Sequence, residues 1–248
     1  MSDTDPTNSG PGWGDHDTPY GPIHSYTDPG TVTAGGNAGK QTNIGPQTTI
    51  NIPTAKSYNG VYMSMCVTNL KNHEGFVNNI YADGDGNPTV GIGHLLANID
   101  AALALPFRNT YHQSLGHGDS NNIEQAATVE QIKNSYNQVK GNPKARASVH
   151  LTNDYSISLC IKDVQVTETG LRNLYSGFDA FPNSAKTALI DMGFNLGLLR
   201  LSRVFTKFNA AVNRKDWAAA AEESHRTKIQ ESRNVDTRNQ LIAASQGK

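Results

Sequence analysis

Apolar residues recur along the chain at two spacings, and the change of spacing marks where helix gives way to strand. From Val61, the positions Met63, Cys66, Val67 and Leu70 keep the stripe of one helix face. Gly75 predicts its end, because glycine enters the left-handed conformation of a helix terminus at little cost. The short segments FVNNIY (76–81) and TVGIGHLL (89–96) flank ADGDGN, which predicts a β-hairpin with a glycine-rich turn. Residues 97 to 150 are polar and irregular, with a helix expected over 124–139. Thr152 is a candidate cap for a helix running through YSISLCIKDV to about Leu174, weakened by Gly170. A further helix follows Pro182 with Ser184 as its candidate cap, RVFTKFNAAV and KDWAAAAEESH supply two more, and a last one starts near Thr237. The predicted fold class is α+β: a mostly helical body with one small β-hairpin lobe.

Composition changes this picture at the N-terminal end. The first 60 residues hold seven of the 11 prolines and ten of the 23 glycines, among Ser, Thr, Asn and Asp. Such a segment has little to bury and is expected to stay disordered, leaving 61–248 as one globular domain. TTINIPTA (48–55) is the one stretch of the tail that could form a short strand. The opening MSDTDPTNSG has no apolar core and does not read as a secretory signal. No run reaches the roughly 18 apolar residues of a membrane span.

The net charge is −1, so no overall field draws the chain to nucleic acid or to an anionic membrane. Five aspartates against two lysines give residues 1–60 a balance of −3, which leaves +2 for the remainder. That mild surplus suits an anionic polymer without deciding anything. Cys66 and Cys160 both fall in predicted helices and read as buried thiols of a protein made in a reducing cytosol, with a disulfide between them as the alternative.

Chemistry concentrates in NHEGFVNNIYADGDGNPTVGIGHLL (72–96). His73-Glu74 starts like a zinc-protease motif, but Val77 stands where the second histidine is needed. Asp83, Asp85 and Asn87 start like a calcium loop, but Pro88 and His94 replace its glycine and its bidentate glutamate. No metal and no cofactor are expected. His112 and His117, in YHQSLGHGDSNN, read as parts of a solvated loop. A pair of carboxylates fits better. Glycoside hydrolysis needs one protonated acid and one ionised carboxylate in different environments. Glu74, at the negative end of a helix dipole, would resist ionisation. Asp83, in a solvated turn rich in backbone donors, would stay charged.

The string E-G-(x5)-Y-x-D-(x2)-G-(x2)-T-x-G-x-G-H-x-L, with Glu74, Tyr81, Asp83, Gly86, Thr89, Gly91, Gly93, His94 and Leu95 in place, resembles the catalytic hairpin of T4-phage-type lysozymes. The resemblance implies an inverting muramidase that cleaves the β-1,4 bond between N-acetylmuramic acid and N-acetylglucosamine in peptidoglycan. Carried over, Glu74 is the general acid, Asp83 activates water and Thr89 helps to hold that water. Inversion implies carboxyl groups roughly 6.5–9.5 Å apart. The resemblance further implies a His94–Asp163 ion pair, and contacts to substrate from Phe194 and Asn195 of DMGFNLG and from a C-terminal arginine, with Arg238 preferred to Arg233. KDW, with Trp217, is a structural match. The 69 residues between His94 and Asp163 exceed what short versions of this fold need, so 97–150 includes an insertion.

SGPGWGDHDTPYGP is similar to the glycine-rich, tryptophan-bearing starts of colicins. This second resemblance implies a bacteriocin, made in the cytoplasm without a signal peptide, released, and acting on peptidoglycan in the periplasm of a target cell. Residues 1–45, with Trp13, would engage an outer-membrane porin and Tol proteins, and an immunity protein would protect the producer. The competing reading is a phage endolysin.

Overall fold

The stripe beginning at Val61 closes into helix α1 (Val61–Glu74), with Cys66, Val67 and Leu70 buried, and stops at Gly75 with φ +81°. The computed structural model describes residues 60–116, 119–142 and 144–247. The tail, TTINIPTA and His117 lie outside the described residues. After α1 come β1 (Val77–Ala82), β2 (Pro88–Gly91), β3 (His94–Leu95), α2 (Ile99–Leu103), β4 (Arg108–Gly116), β5 (Asp119–Ala126), α3 (Val129–Val139) and β6 (Arg146–His150). They are followed by α4 (Asn153–Leu174), α5 (Asn183–Leu196), α6 (Leu198–Val204), α7 (Thr206–Asn213), α8 (Trp217–Glu222) and α9 (Glu231–Ser245). The fold is α+β, and the described residues form two compact units. A sheet unit takes in Phe76–Leu159, and a helical unit combines the residues up to Gly75 with those from Cys160 onward.

The sheet unit holds more strand than one hairpin. Its six strands run in the order β3-β2-β1-β6-β4-β5, and the observed pairings are antiparallel. β1 and β2 form the expected hairpin, with Tyr81 opposite Thr89. The predicted single return strand TVGIGHLL instead turns at Ile92-Gly93 (Gly93 φ +69°), so β3 folds back on β2. Ile80, Val90, Leu96, Phe107, Ile132 and Leu151 form the centre of this unit's core.

The stretch 97–150, expected to be irregular, holds regular elements among its described residues, and the described residues of YHQSLGHGDSNN are strand rather than loop. Arg108 to Ser114 pair with Ala126 to Ser120 as β4 and β5, and His112 sits opposite Asn122 on this hairpin. Tyr111, His112 and Gln113 are exposed, which is why no apolar alternation announced the strands. The helix expected over 124–139 begins later, as α3. Thr128 and Gln131 close a reciprocal capping box at its start.

In the helical unit α5 is buried along almost its whole length. Pro182 occupies its N-cap position with no side-chain cap, so Ser184 lies inside the helix and does not cap it. Thr152 does cap α4, accepting from the Tyr155 N–H at 3.2 Å. Gly170 is a packing requirement of α4, since a Cβ there would lie 1.8 Å from Leu198 Cδ1. Cys66 and Cys160 are free, buried thiols, so the alternative disulfide is not formed; Cys66 Sγ donates to Thr187 Oγ1 at 3.8 Å. Trp217 packs edge-on to Phe181 at 4.9 Å between ring centroids. The last helix starts at Glu231, six residues before the expected Thr237, and so carries Arg233.

Candidate active site

Glu74 ends α1 with a side chain only 3 % exposed, and Arg233 Nη1 lies 2.7 Å from its Oε1. Burial pushes the Glu74 carboxyl up from its ordinary value, against the pull of Arg233. The dominant cause is loss of water, where the sequence pointed to the helix dipole.

Arg233 does not serve Glu74 alone. Its Nη2 lies 2.9 Å from Asp191 Oδ1, and its Nε donates to the same oxygen at 3.0 Å. Arg226 grips the other oxygen, with Nη2 donating to Asp191 Oδ2 at 2.8 Å and to Thr237 Oγ1 at 2.7 Å. Asn69 Nδ2 adds a bond to Asp191 Oδ1 at 3.2 Å. Burial alone would push Asp191 up, but the two guanidiniums hold it well below the usual carboxylate range. Arg226 in turn is fixed by Asn234, which accepts from its backbone N–H at 3.0 Å and donates to its carbonyl at 2.9 Å. Four ionisable side chains, Glu74, Arg233, Asp191 and Arg226, thus alternate acid and base through the interior of the helical unit.

His73, one residue before the acid, lies 3.4 Å from Asp236, and burial lowers its pKa. A groove of about 820 Å3 opens beside α1, α5 and α9. Asn69, Asn72, Asp236 and Gln240 help to line it, and Glu74 does not.

In the sheet unit, Asp83 staples its own turn. Its Oδ1 accepts from the Asp85 and Asn87 N–H groups at 2.9 and 2.8 Å, and its Oδ2 accepts from Asn87 Nδ2 at 3.2 Å. Three of roughly four acceptor positions of the carboxylate are thereby used. Burial nevertheless pushes Asp83 up, with the Asn87 and Asp85 donors opposing. The turn is held from outside as well, since Gly141 donates its N–H to Gly86 O at 2.8 Å. Gly86 has φ +83°, and a Cβ there would lie 3.1 Å from Gly141 Cα. Thr89 is buried on β2 and donates its hydroxyl proton to Asn87 O at 3.1 Å.

The remaining expected residues fall in varied places. His94 is buried on β3 of the sheet unit, and Asp163 is buried on the part of α4 that belongs to the helical unit. Phe194 is wholly buried, so the expected contact with substrate is corrected to a core position. Asn195 is buried as well, and its Oδ1 accepts from Arg226 Nη1 at 3.2 Å. Arg238 is exposed and pairs with Glu222 at 2.6 Å, whereas Arg233 is the arginine beside Glu74. Arg226 and Asp191 were not anticipated at all. The available signal was Asp191 itself, an aspartate inside the apolar run ALIDMGF, which cannot be buried without cationic partners.

Among protein families, the one described as Phage lysozyme has a model that matches residues 71–237, about two thirds of the chain. No curated protein matches it.

Proposed function

The chain belongs to the phage lysozyme family and is a peptidoglycan hydrolase, and we propose that it cleaves the β-1,4 bond after N-acetylmuramic acid with inversion. The observation that carries this reading is the water-excluded carboxyl of Glu74, raised by burial, at the head of the motif that Asp83 and Thr89 complete. A general acid must keep its proton until the leaving oxygen needs it, and desolvation favours the neutral form. Glu74 gives its proton to the glycosidic oxygen as the bond to the anomeric carbon breaks. Asp83 takes a proton from a water that attacks the same carbon from the other face. Thr89, its own hydrogen already donated to Asn87, offers only lone pairs and so orients that water as an acceptor. His94 and Asp163 are proposed to pair and brace the hairpin.

Glu74→Gln is expected to lower wall digestion by about 10²–10⁴-fold while the far-ultraviolet circular dichroism stays unchanged. Reduction of the digest should label muramic acid, and nuclear magnetic resonance of fresh product should show the α-anomer. Labelled glucosamine, a β-anomer, or an active Glu74→Gln would each refute the assignment.

We further propose that this hydrolase acts as a bacteriocin, its first 45 residues engaging a porin and Tol proteins of the target and a cognate immunity protein restraining it at home. The support is the glycine-rich, tryptophan-bearing composition of SGPGWGDHDTPYGP. Removal of residues 1–45 should abolish killing of intact cells from outside and leave digestion of purified wall unchanged. Killing that survives the deletion, or never occurs from outside, points to an endolysin.

A further inference from the structure

Burying two arginines and an aspartate beside Glu74 is an expensive way to hold helices together. Apolar side chains of similar volume often hold a fold equally well or better. Arg226 Nε, moreover, is buried without a hydrogen-bond partner among the described residues. The arrangement makes sense if its purpose is the charge that Glu74 meets.

We propose that Asp191 and Arg226 are positioning residues for the hydrolysis, fixing where the Arg233 guanidinium points and how much of its charge reaches Glu74. This rests on the reading of Glu74 as the general acid. Asp191 occupies the Nε and Nη2 edge of Arg233 and leaves Nη1 to Glu74, so Arg233 cannot turn that edge to grip the acid with two parallel bonds. An uncompensated guanidinium at 2.7 Å would drive Glu74 to its ionised form. Asp191 cancels much of that pull, and Arg226 cancels part of Asp191 in turn. With Glu74 neutral, the other three charges sum to +1; with Glu74 ionised, the four sum to zero. The alternation therefore holds the acid between two extremes, either of which would spoil it.

The charged and titratable groups facing Glu74 within the helical unit can be named. Arg233 comes from α9, Asp191 from α5, and Arg226 from the segment ahead of α9. Cys160 comes from α4, its thiol raised by burial and neutral. His73, on its own helix, is paired to Asp236. Among the three charged partners, Arg233 acts most strongly on Glu74, Asp191 next and Arg226 least.

The test is the high-pH limb of wall digestion, which a general acid sets by losing its proton, together with the titration of the carbon-13-labelled Glu74 carboxyl. Glu74→Gln assigns that resonance. Asp191→Asn should move both limb and titration to lower pH, by about half a unit or more, and Arg226→Gln should move both upward. The double variant buries no unpaired aspartate, and it should lie below the wild type but above Asp191→Asn. Loss of packing cannot produce opposite shifts that partly cancel. If either single variant fails to fold, the double variant decides alone by its downward shift. A folded double variant whose limb and titration both stay at the wild-type pH overturns the proposal, even where Glu74→Gln is inactive. If the carboxyl titration moves and the limb does not, the two residues do not act on the reaction, and Glu74 is not the group that sets its pH dependence.

Discussion

Asp191 and His73 respond to acid in the same direction for different reasons. Burial lowers the His73 pKa, so the folded chain binds that proton less tightly than the unfolded chain. The stability it contributes is complete above the ordinary histidine range and is lost as pH falls through that range. Asp191, held low by Arg226 and Arg233, contributes stability that starts to be lost further down, as pH falls through the ordinary carboxylate range, and goes on being lost below it. Thermal melts should therefore show a first decline between about pH 7 and 5, where histidine titrates. His73→Gln should flatten that decline, and a variant that keeps the wild-type slope would assign it to another group. Reading these residues from the sequence was uneven. Glu74, Asp83 and Thr89 stand in one short segment whose spacing is itself the signal. Arg226 and Arg233 lie in ESHRTKIQESRNVD, which has the composition of a solvated surface, and only their meeting with Asp191 across 35 and 42 residues buries them.

At the scale of elements, apolar periodicity located α1 and α4 because each has one face to bury. It failed for β4 and β5, whose exposed residues leave no such face, and for the start of α9, where burial falls on polar Arg233, Asn234 and Thr237. Gly170 illustrates the difference between local and packed reasoning. Exchange for alanine raises helix propensity by about 1 kcal/mol, yet the added methyl overlaps Leu198. We expect Gly170→Ala to lose about 1–3 kcal/mol in urea melts, and Gly170→Ala with Leu198→Ala to cost less than the two single changes added together. Strict additivity would mean that this contact does not govern the position.

The molecule as a whole joins parts distant in sequence. Among the described residues the sheet unit is one continuous stretch, whereas the helical unit joins α1, which precedes it in sequence, to the later part of α4 and to α5 to α9, which follow it. Deleting residues 231–248 should abolish wall digestion and strip amide-exchange protection from α1 and α5, leaving β1 and β6 protected. Equal loss in both units would show that they fold as one. A consequence follows for synthesis on the ribosome. Glu74 is translated 159 residues ahead of Arg233, the arginine it pairs with. Nascent chains and truncated products that stop short of Arg233 thus carry Glu74 without its cationic partner.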